Sequence, residues 1–236
     1  MSSFPLLSAN PELFRGKRVV VRLDLNVPLE GGMVRDDYRI RESLPTLRFL
    51  RECGARTVIL SHIGKGKPTD TLRPVVEHLE KEFPVVFLPD LLSPENVRMT
   101  NEMKDGDILL LENIRHSTGE EENDPAFAAY LASLGDIYVN DAFSVSHRPH
   151  ASVVGIPALL PHFAGLRFVQ EVARLAAAFT PEHPFLFILG GAKIETKMPL
   201  LKKFLDRADH VFVGGAIANN FFKVGGNEIG TSLYDA

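Results

Sequence analysis

Hydrophobic and polar positions fall into alternating blocks along the chain. Short aliphatic and β-branched runs at 17–25, 57–61, 85–88, 107–111 and 137–139 predict five strands, several of them apolar on both faces. Between them the apolar period lengthens. Ile40, Leu44, Leu47 and Leu50 recur at helical spacing as far as Gly54, a residue suited to a helix C-cap. Further helices are predicted over 72–83, over 94–103 behind a Ser93 cap, and over 125–134, where Asp124 can cap and Pro125 suits the first helical position. Strands alternating with helices predict an α/β fold, a doubly wound and largely parallel sheet with right-handed crossovers.

Leu166, Val169, Ala173 and Ala176 mark one more helix, and Pro181 and Pro184 punctuate the boundary after it. A second α/β pattern comes next: a strand at 185–189, Gly190-Gly191, a helix at 196–208, a strand at 210–213, Gly214-Gly215 and a helix at 216–223. Two strands and two helices make a small core, so the second lobe is predicted to be incomplete. Each glycine pair admits either close strand–helix packing or the approach of a phosphate or ring. Lys193 and Lys197, four apart beside the first pair, favour the ligand.

Polarity begins where each early strand ends. Arg22, Asp24 and Asn26 close the first. Ser61 and His62 close the second, ahead of Gly64-Lys65-Gly66-Lys67. Glu112, Asn113 and Arg115 close the fourth, and Asn140, Asp141, His147, Arg148 and His150 come after the fifth. This last polar stretch is expected to lie outside the core. In a parallel sheet the carboxyl ends share one edge, where ligands bind. With Arg39, these residues predict a basic crevice for a compact, multiply anionic small molecule. The glycine–lysine loop fits either a phosphate cradle with free N–H groups or a mobile basic loop, and it lacks the spacing of a Walker A motif. The acidic run at 120–122 is read as a solvated face.

Composition narrows this little further. The chain has 236 residues and a net charge of −4, which argues against general affinity for nucleic acid or membranes. Its single cysteine, Cys53, excludes an internal disulfide and fits a reducing compartment. No signal peptide, membrane span, internal repeat or low-complexity tract is expected.

Seven motifs in order resemble the phosphoglycerate kinase family: R-L-D-L-N-V-P at 22–28, L-S-H-I-G at 60–64, L-L-E-N-I-R at 110–115, V-N-D-A-F at 139–143, H-R-P-H-A-S at 147–152, L-G-G-A-K at 189–193 and V-G-G-A at 213–216. The resemblance implies a Rossmann-like phosphoglycerate-binding lobe over 1–164, a hinge helix and linker over 165–183, and the beginning of a nucleotide-binding α/β lobe over 184–236. It implies that Asp24, Asn26, Arg39, His62, Lys65, Arg115 and Arg148 contact 3-phosphoglycerate or 1,3-bisphosphoglycerate. It implies that Gly191, Lys193, Lys197, Gly214 and Gly215 serve ATP or ADP, with Arg39, Lys193 and Lys197 at the transferring phosphoryl group. Magnesium accompanies the nucleotide in this family, and its ligand is expected in the part of the second lobe that the chain lacks. No metal ligand is assigned here. A cytoplasmic monomer binding only small molecules, with neither nucleic acid nor membrane, is implied as well.

Three departures stand out. Lys65 replaces a usual arginine and so loses the bidentate fork. The segment at 165–170 differs from the family's apolar run. Most of the second lobe is missing, so a truncated chain with little or no turnover of its own is expected. The alternative is a non-catalytic phosphoglycerate-binding lobe that needs a second chain. A nicotinamide oxidoreductase lacks its G-x-G-x-x-G, and a metal hydrolase built on His147 and His150 lacks supporting ligands.

Overall fold

The structure, a computed structural model, describes residues 5–235. It divides into two units, one running to Glu171 and the other starting at Val172.

The first unit opens with β1 (Arg18–Arg22), the two-residue strands β2 (Leu29–Glu30) and β3 (Met33–Val34), which form a hairpin, and helix α1 (Tyr38–Glu52). Then come β4 (Arg56–Leu60), α2 (Arg73–Leu79), β5 (Val85–Leu88), α3 (Pro94–Glu102), β6 (Ile108–Leu111), α4 (Thr118–Glu121), α5 (Pro125–Ser133), β7 (Ile137–Asn140), α6 (Ile156–Leu159), β8 (His162–Ala164) and α7 (Leu166–Ala177), whose last residues enter the second unit. The caps expected from sequence form. Ser93 Oγ accepts Glu95 N–H, Asp124 Oδ1 accepts Phe127 N–H, and Gly54 turns away at φ +72° behind α1.

Six strands pair in the order β5-β6-β4-β1-β7-β8, every pair parallel. The sequence predicted five. The sixth, β8, is three residues of His-Phe-Ala with no β-branched run to announce it, and it forms because β7 offers it an open edge. Consecutive strand residues send side chains to opposite faces. Val19, Val21, Ile59 and Leu110 therefore pack with Ile40, Leu47 and Leu50 of α1 and Val75 of α2 on one face, while Val20, Val58, Leu60 and Leu109 pack with Phe127 and Leu131 of α5 on the other. The chain builds outward from β1 through β4 and then returns to β1's other side at β7. This reversal is the topological switch point, and it opens a crevice at the carboxyl ends of β1 and β7.

In the second unit β9 (Leu186–Leu189) and β10 (His210–Val213) pair in parallel beside α8 (Ile194–Leu205) and α9 (Gly215–Val224). Its core is thin: Leu189, Leu201, Phe204 and Ile217 are buried, and Phe204 stacks on Phe187 at 4.4 Å and Phe179 at 5.4 Å between ring centroids. Leu186, Ile188 and Phe212 share the exposed face of the two-stranded sheet. No helix among the described residues is long and apolar enough to cross a membrane.

Candidate functional site: the crevice at the strand ends

The last residue of β1 organises the crevice. Arg22 is 1% exposed, because β1 lies between β4 and β7 and the segments beyond those two strands cover the side chain. Its Nη2 lies 2.9 Å from His62 Nδ1, just past β4. Its Nε donates to Ser152 Oγ at 3.0 Å and its Nη1 to the Leu23 carbonyl at 2.6 Å. Ser152 in turn donates its hydroxyl to Glu120 Oε1 at 2.6 Å and its N–H to Oε2 at 2.9 Å. Tyr138 of β7 closes the network by donating to the Ser152 carbonyl at 2.5 Å. Burial lowers the Arg22 pKa, and the Glu120 charge opposes that.

Glu120 therefore corrects the sequence reading. It is fully buried, not part of a solvated face, and only its neighbours Glu121 and Glu122 are exposed. Asp141 and His150 are likewise buried, at 2% and 8% exposure, although their stretch was expected outside the core. The chain at 151–155 forms a π-helical turn that folds the polar segment back over the sheet.

His62, grouped from sequence with the residues of a basic crevice, is not a cation. Burial, joined by the charges of Arg22, Arg115, Arg148 and Arg39, drives its pKa down to about 2. It is a neutral imidazole at any physiological pH. Arg22 touches the ring directly, and Gly64 bonds to both Asn26 and Arg115, so the segments after β1, β4 and β6 meet at one edge.

Around His62 the remaining predicted residues take defined places. Arg39, in the first turn of α1, donates through Nη1 to both oxygens of Asp24, at 2.9 and 3.0 Å, and Ser144 Oγ donates to Asp24 Oδ2 at 2.7 Å. Asn26 Oδ1 accepts Gly64 N–H at 2.9 Å. Arg115 donates to the Gly64 carbonyl at 2.8 Å and lies 3.4 Å from Glu121. Arg148 is half-buried, with no carboxylate paired to it among the described residues. Lys65 is exposed.

The glycine–lysine loop is tied down. Asp70 Oδ2 accepts the N–H groups of Lys65 at 2.9 Å and Lys67 at 3.0 Å, and these backbone donors, Lys67 first, hold the Asp70 carboxyl below its ordinary range. The loop's N–H groups are thus spoken for, contrary to the cradle reading. Its glycines answer to crowding instead. Gly66 sits at φ +84° where a Cβ would come within 2.2 Å of the Arg115 carbonyl oxygen.

Beside Arg39 and Asp24, at the switch point, lies a cavity of about 270 Å³ whose walls include Glu42, Asp141, Ser144 and Arg167. Besides Asp24 and Asp141, two further carboxylates, Glu42 and Glu171, line it. Glu42 and Glu171 both pair with Arg167. Asp141 Oδ1 accepts Phe168 N–H at 2.9 Å and so anchors the first turn of α7, while Oδ2 has no hydrogen-bond partner. Burial pushes the Asp141 carboxyl up to about 6, against hydrogen bonds from Thr46, Phe168 and Arg167. The protonated form is therefore favoured more in the folded chain than in the unfolded one. Stability should fall as pH rises from about 4 to about 6 and stay lowered above, by roughly 3 kcal/mol at most. Asp141→Asn should flatten that segment of the stability–pH curve and raise the denaturation midpoint at neutral pH. An unchanged curve in urea titrations across this range would remove Asp141 as its source.

In the second unit Gly191 and Gly215 face each other. A Cβ on Gly215 would lie 3.2 Å from Gly191 O, and Ile217 N–H donates to that same oxygen at 3.0 Å. The close packing that the sequence left as an alternative is present. Gly214 N–H donates to Leu189 O at 2.8 Å, Lys193 holds the N-cap position of α8, and Lys193 and Lys197 are exposed. The first N–H of α8, at Ile194, is occupied by Asp235 Oδ2 at 2.6 Å. Among the described residues no group of three or more His, Cys, Asp or Glu side chains could hold a metal ion.

Known proteins are similar to this chain in sequence and in fold. A family model for phosphoglycerate kinase matches residues 11–236. The chain is 44% identical to the phosphoglycerate kinase of Dictyoglomus turgidum over 241 residues, covering 100% of this chain and 61% of that protein. It is 45% identical to that of Moorella thermoacetica over 226 residues, covering 93% and 58%. Among solved structures, phosphoglycerate kinase from Coxiella burnetii superposes with a TM-score of 0.83 at 38% identity over 99% of this chain and 60% of that one, and the enzyme from Pyrococcus horikoshii with 0.79 at 32% over 97% and 59%. The chain thus spans about 60% of the length of the relatives it matches. The match runs through both units and takes in the crevice and the glycine turns alike, so this chain belongs to the phosphoglycerate kinase family.

Proposed function

We propose that the first unit binds 3-phosphoglycerate and 1,3-bisphosphoglycerate, and that the chain serves reversible phosphoryl transfer from the acyl phosphate to ADP, giving 3-phosphoglycerate and ATP, a step of glycolysis in the cytoplasm. The observation that carries this reading is that hydrogen bonds tie the residues after separate strands together, Arg22 to His62, Gly64 to Asn26 and Arg115 to Gly64, so that basic groups line one edge of the sheet. Such a ligand carries charge at both ends, and guanidinium groups match carboxylate and phosphate oxygens in pairs. Arg148, without a carboxylate partner among the described residues, and the exposed Lys65 are the groups most open to new anionic contacts. Asp24 would repel a phosphate, but it can accept the hydroxyl of the glycerate while holding Arg39 in place, and Asn26 fixes the neighbouring loop through Gly64.

Chemically the transfer asks for alignment and for positive charge where the phosphoryl group moves. Arg39, which lines the switch-point cavity, would supply that charge in the first unit, and Lys193 and Lys197 would supply it in the second. ADP or ATP would lie at Gly191, Gly214 and Gly215, where a Cβ on Gly191 would come within 3.9 Å of the exposed Lys197 side chain. Magnesium would accompany the nucleotide and neutralise charge on its phosphates. The division into a lobe over 1–164, a hinge over 165–183 and a nucleotide lobe from 184 belongs to this proposal, as does a monomer that binds neither nucleic acid nor membrane.

A second reading rests on the thin core of the second unit and its exposed apolar sheet face: a non-catalytic phosphoglycerate-binding lobe that needs a second chain to complete the nucleotide site. Calorimetric titration with 3-phosphoglycerate, with a coupled ADP/ATP assay beside it, tests both. Saturable, salt-sensitive binding is expected, weakened about tenfold or more in Arg148→Ala through loss of one charge-assisted contact. Turnover that disappears in Arg39→Ala would establish the transferase. Binding without turnover would favour the second reading, and a folded chain that does not bind would defeat both.

A further inference from the structure

Arg22 touches the crevice only through a histidine. Its guanidinium has five N–H donors and no acceptor. The atom it meets at 2.9 Å, His62 Nδ1, must therefore present a lone pair. A neutral imidazole that accepts at Nδ1 carries its proton on Nε2. The other end of Arg22 is fixed with the same directionality: Nε gives its proton to Ser152 Oγ, and that hydroxyl gives its own to Glu120. A buried carboxylate thus balances a buried guanidinium through a serine, and the guanidinium sets the ring. His150 Nδ1, 3.7 Å from Glu120 Oε1, is the other titratable group on this carboxylate.

We propose that Arg22 is a positioning residue which, anchored by Ser152 and Glu120, holds His62 as the neutral Nε2–H tautomer, so that the ring offers the crevice one directed hydrogen-bond donor and no positive charge. The hydrogen bonds of Arg22 carry this inference by themselves. Its use toward a phosphoglycerate oxygen rests on the function proposed above. The charges of Arg22, Arg115, Arg148 and Arg39 would repel a charged imidazole and do not repel a neutral one. The ring then discriminates by direction and the arginines by charge.

The test is spectroscopic. The full chain is labelled with 15N at histidine, and long-range proton–nitrogen correlations are recorded before any ligand is added, from about pH 5 to about pH 8. The His62 signals are identified by their loss in His62→Gln. The expected spectrum shows an unprotonated Nδ1 and a protonated Nε2 for His62, unchanged over the range. An Nδ1–H tautomer, or a protonation midpoint inside the range, would overturn the proposal. Arg22→Met should release the ring into mixed tautomers or visible titration, and a folded Arg22→Met chain with the wild-type pattern would show that Arg22 does not set it. If Arg22→Met does not fold, Ser152→Ala and Glu120→Gln loosen the anchor more gently and should partly produce the same change; no change in either would count against the anchoring. Adding 3-phosphoglycerate separates the two readings. A His62 tautomer as described that ignores the ligand would refute the site and leave the tautomer standing.

Discussion

Glu120→Ala should destabilise the parallel-sheet unit by about 3–5 kcal/mol. Three losses coincide. Ser152 loses the acceptor of both its N–H and its hydroxyl. Arg22, 1% exposed, loses the carboxylate that balances it. The fully buried site is left with a void. Removing one member of a buried, hydrogen-bonded charge set costs far more than the set contributes in sum, because the partner stays behind uncompensated. The adjacent Glu122 gives the control: it is exposed, and Glu122→Ala should change stability by about 0.5 kcal/mol or less. The chain has no tryptophan, so the transition is best followed through Tyr138, buried at 1% exposure and bonded to the Ser152 carbonyl. Urea midpoints that move equally for the two variants would mean that Glu120 is not the counter-charge described.

Glu120 also shows what the sequence could and could not say. The strands β1, β4, β6 and β7 were legible because burial on both faces demands continuous apolar runs, and α1, α3 and α5 because their apolar period and cap residues agree. From those alone the gathering of Arg39, His62, Arg115 and Arg148 at one edge could be inferred. Three glutamates in a row carry no such periodicity. The first of them is buried by the short turn of α4, where Gly119 packs so closely on Phe127 that a Cβ would come within 2.9 Å. Asp141 was misplaced for a similar reason: polarity after a strand suggests solvent, but the Gly165 backbone lies directly on its side chain, where a Cβ would be 2.3 Å from Oδ1. Both are closures made by glycine, and neither leaves a local pattern. The tie between Asp70 and the glycine–lysine loop is different. An aspartate three residues beyond Lys67 can accept its N–H in a turn, and that signal was available.

Gly66→Ala should abolish most of the anion affinity while leaving the sheet folded. At φ +84° an alanine is strained by about 1–2 kcal/mol. Gly32, at φ +79° with open space for 4 Å around the place a Cβ would take, would suffer that strain and nothing else. At Gly66 the Cβ also meets backbone, the Arg115 carbonyl oxygen at 2.2 Å and its carbon at 2.9 Å, and neither atom belongs to a side chain that can swing aside. The loop must move off the turn that carries Arg115. Doing so breaks the bond from Arg115 Nη1 to Gly64 O and the contact of His116 Nε2 with Lys67 O at 3.1 Å, and it loosens Gly64 from Asn26. Arg115 and Lys65 then lose their common placement. With the two charge-assisted contacts proposed for Arg115 and Lys65 weakened, 3-phosphoglycerate affinity should fall about 100-fold. The urea midpoint should fall by little more than in Gly32→Ala, because the loop is exposed and outside both layers of the core. Gly32→Ala should bind as the unsubstituted chain does. Equal binding by the two variants would show that the loop can leave Arg115 without cost to the site, and hydrogen exchange over residues 63–70 would then report whether it had left at all.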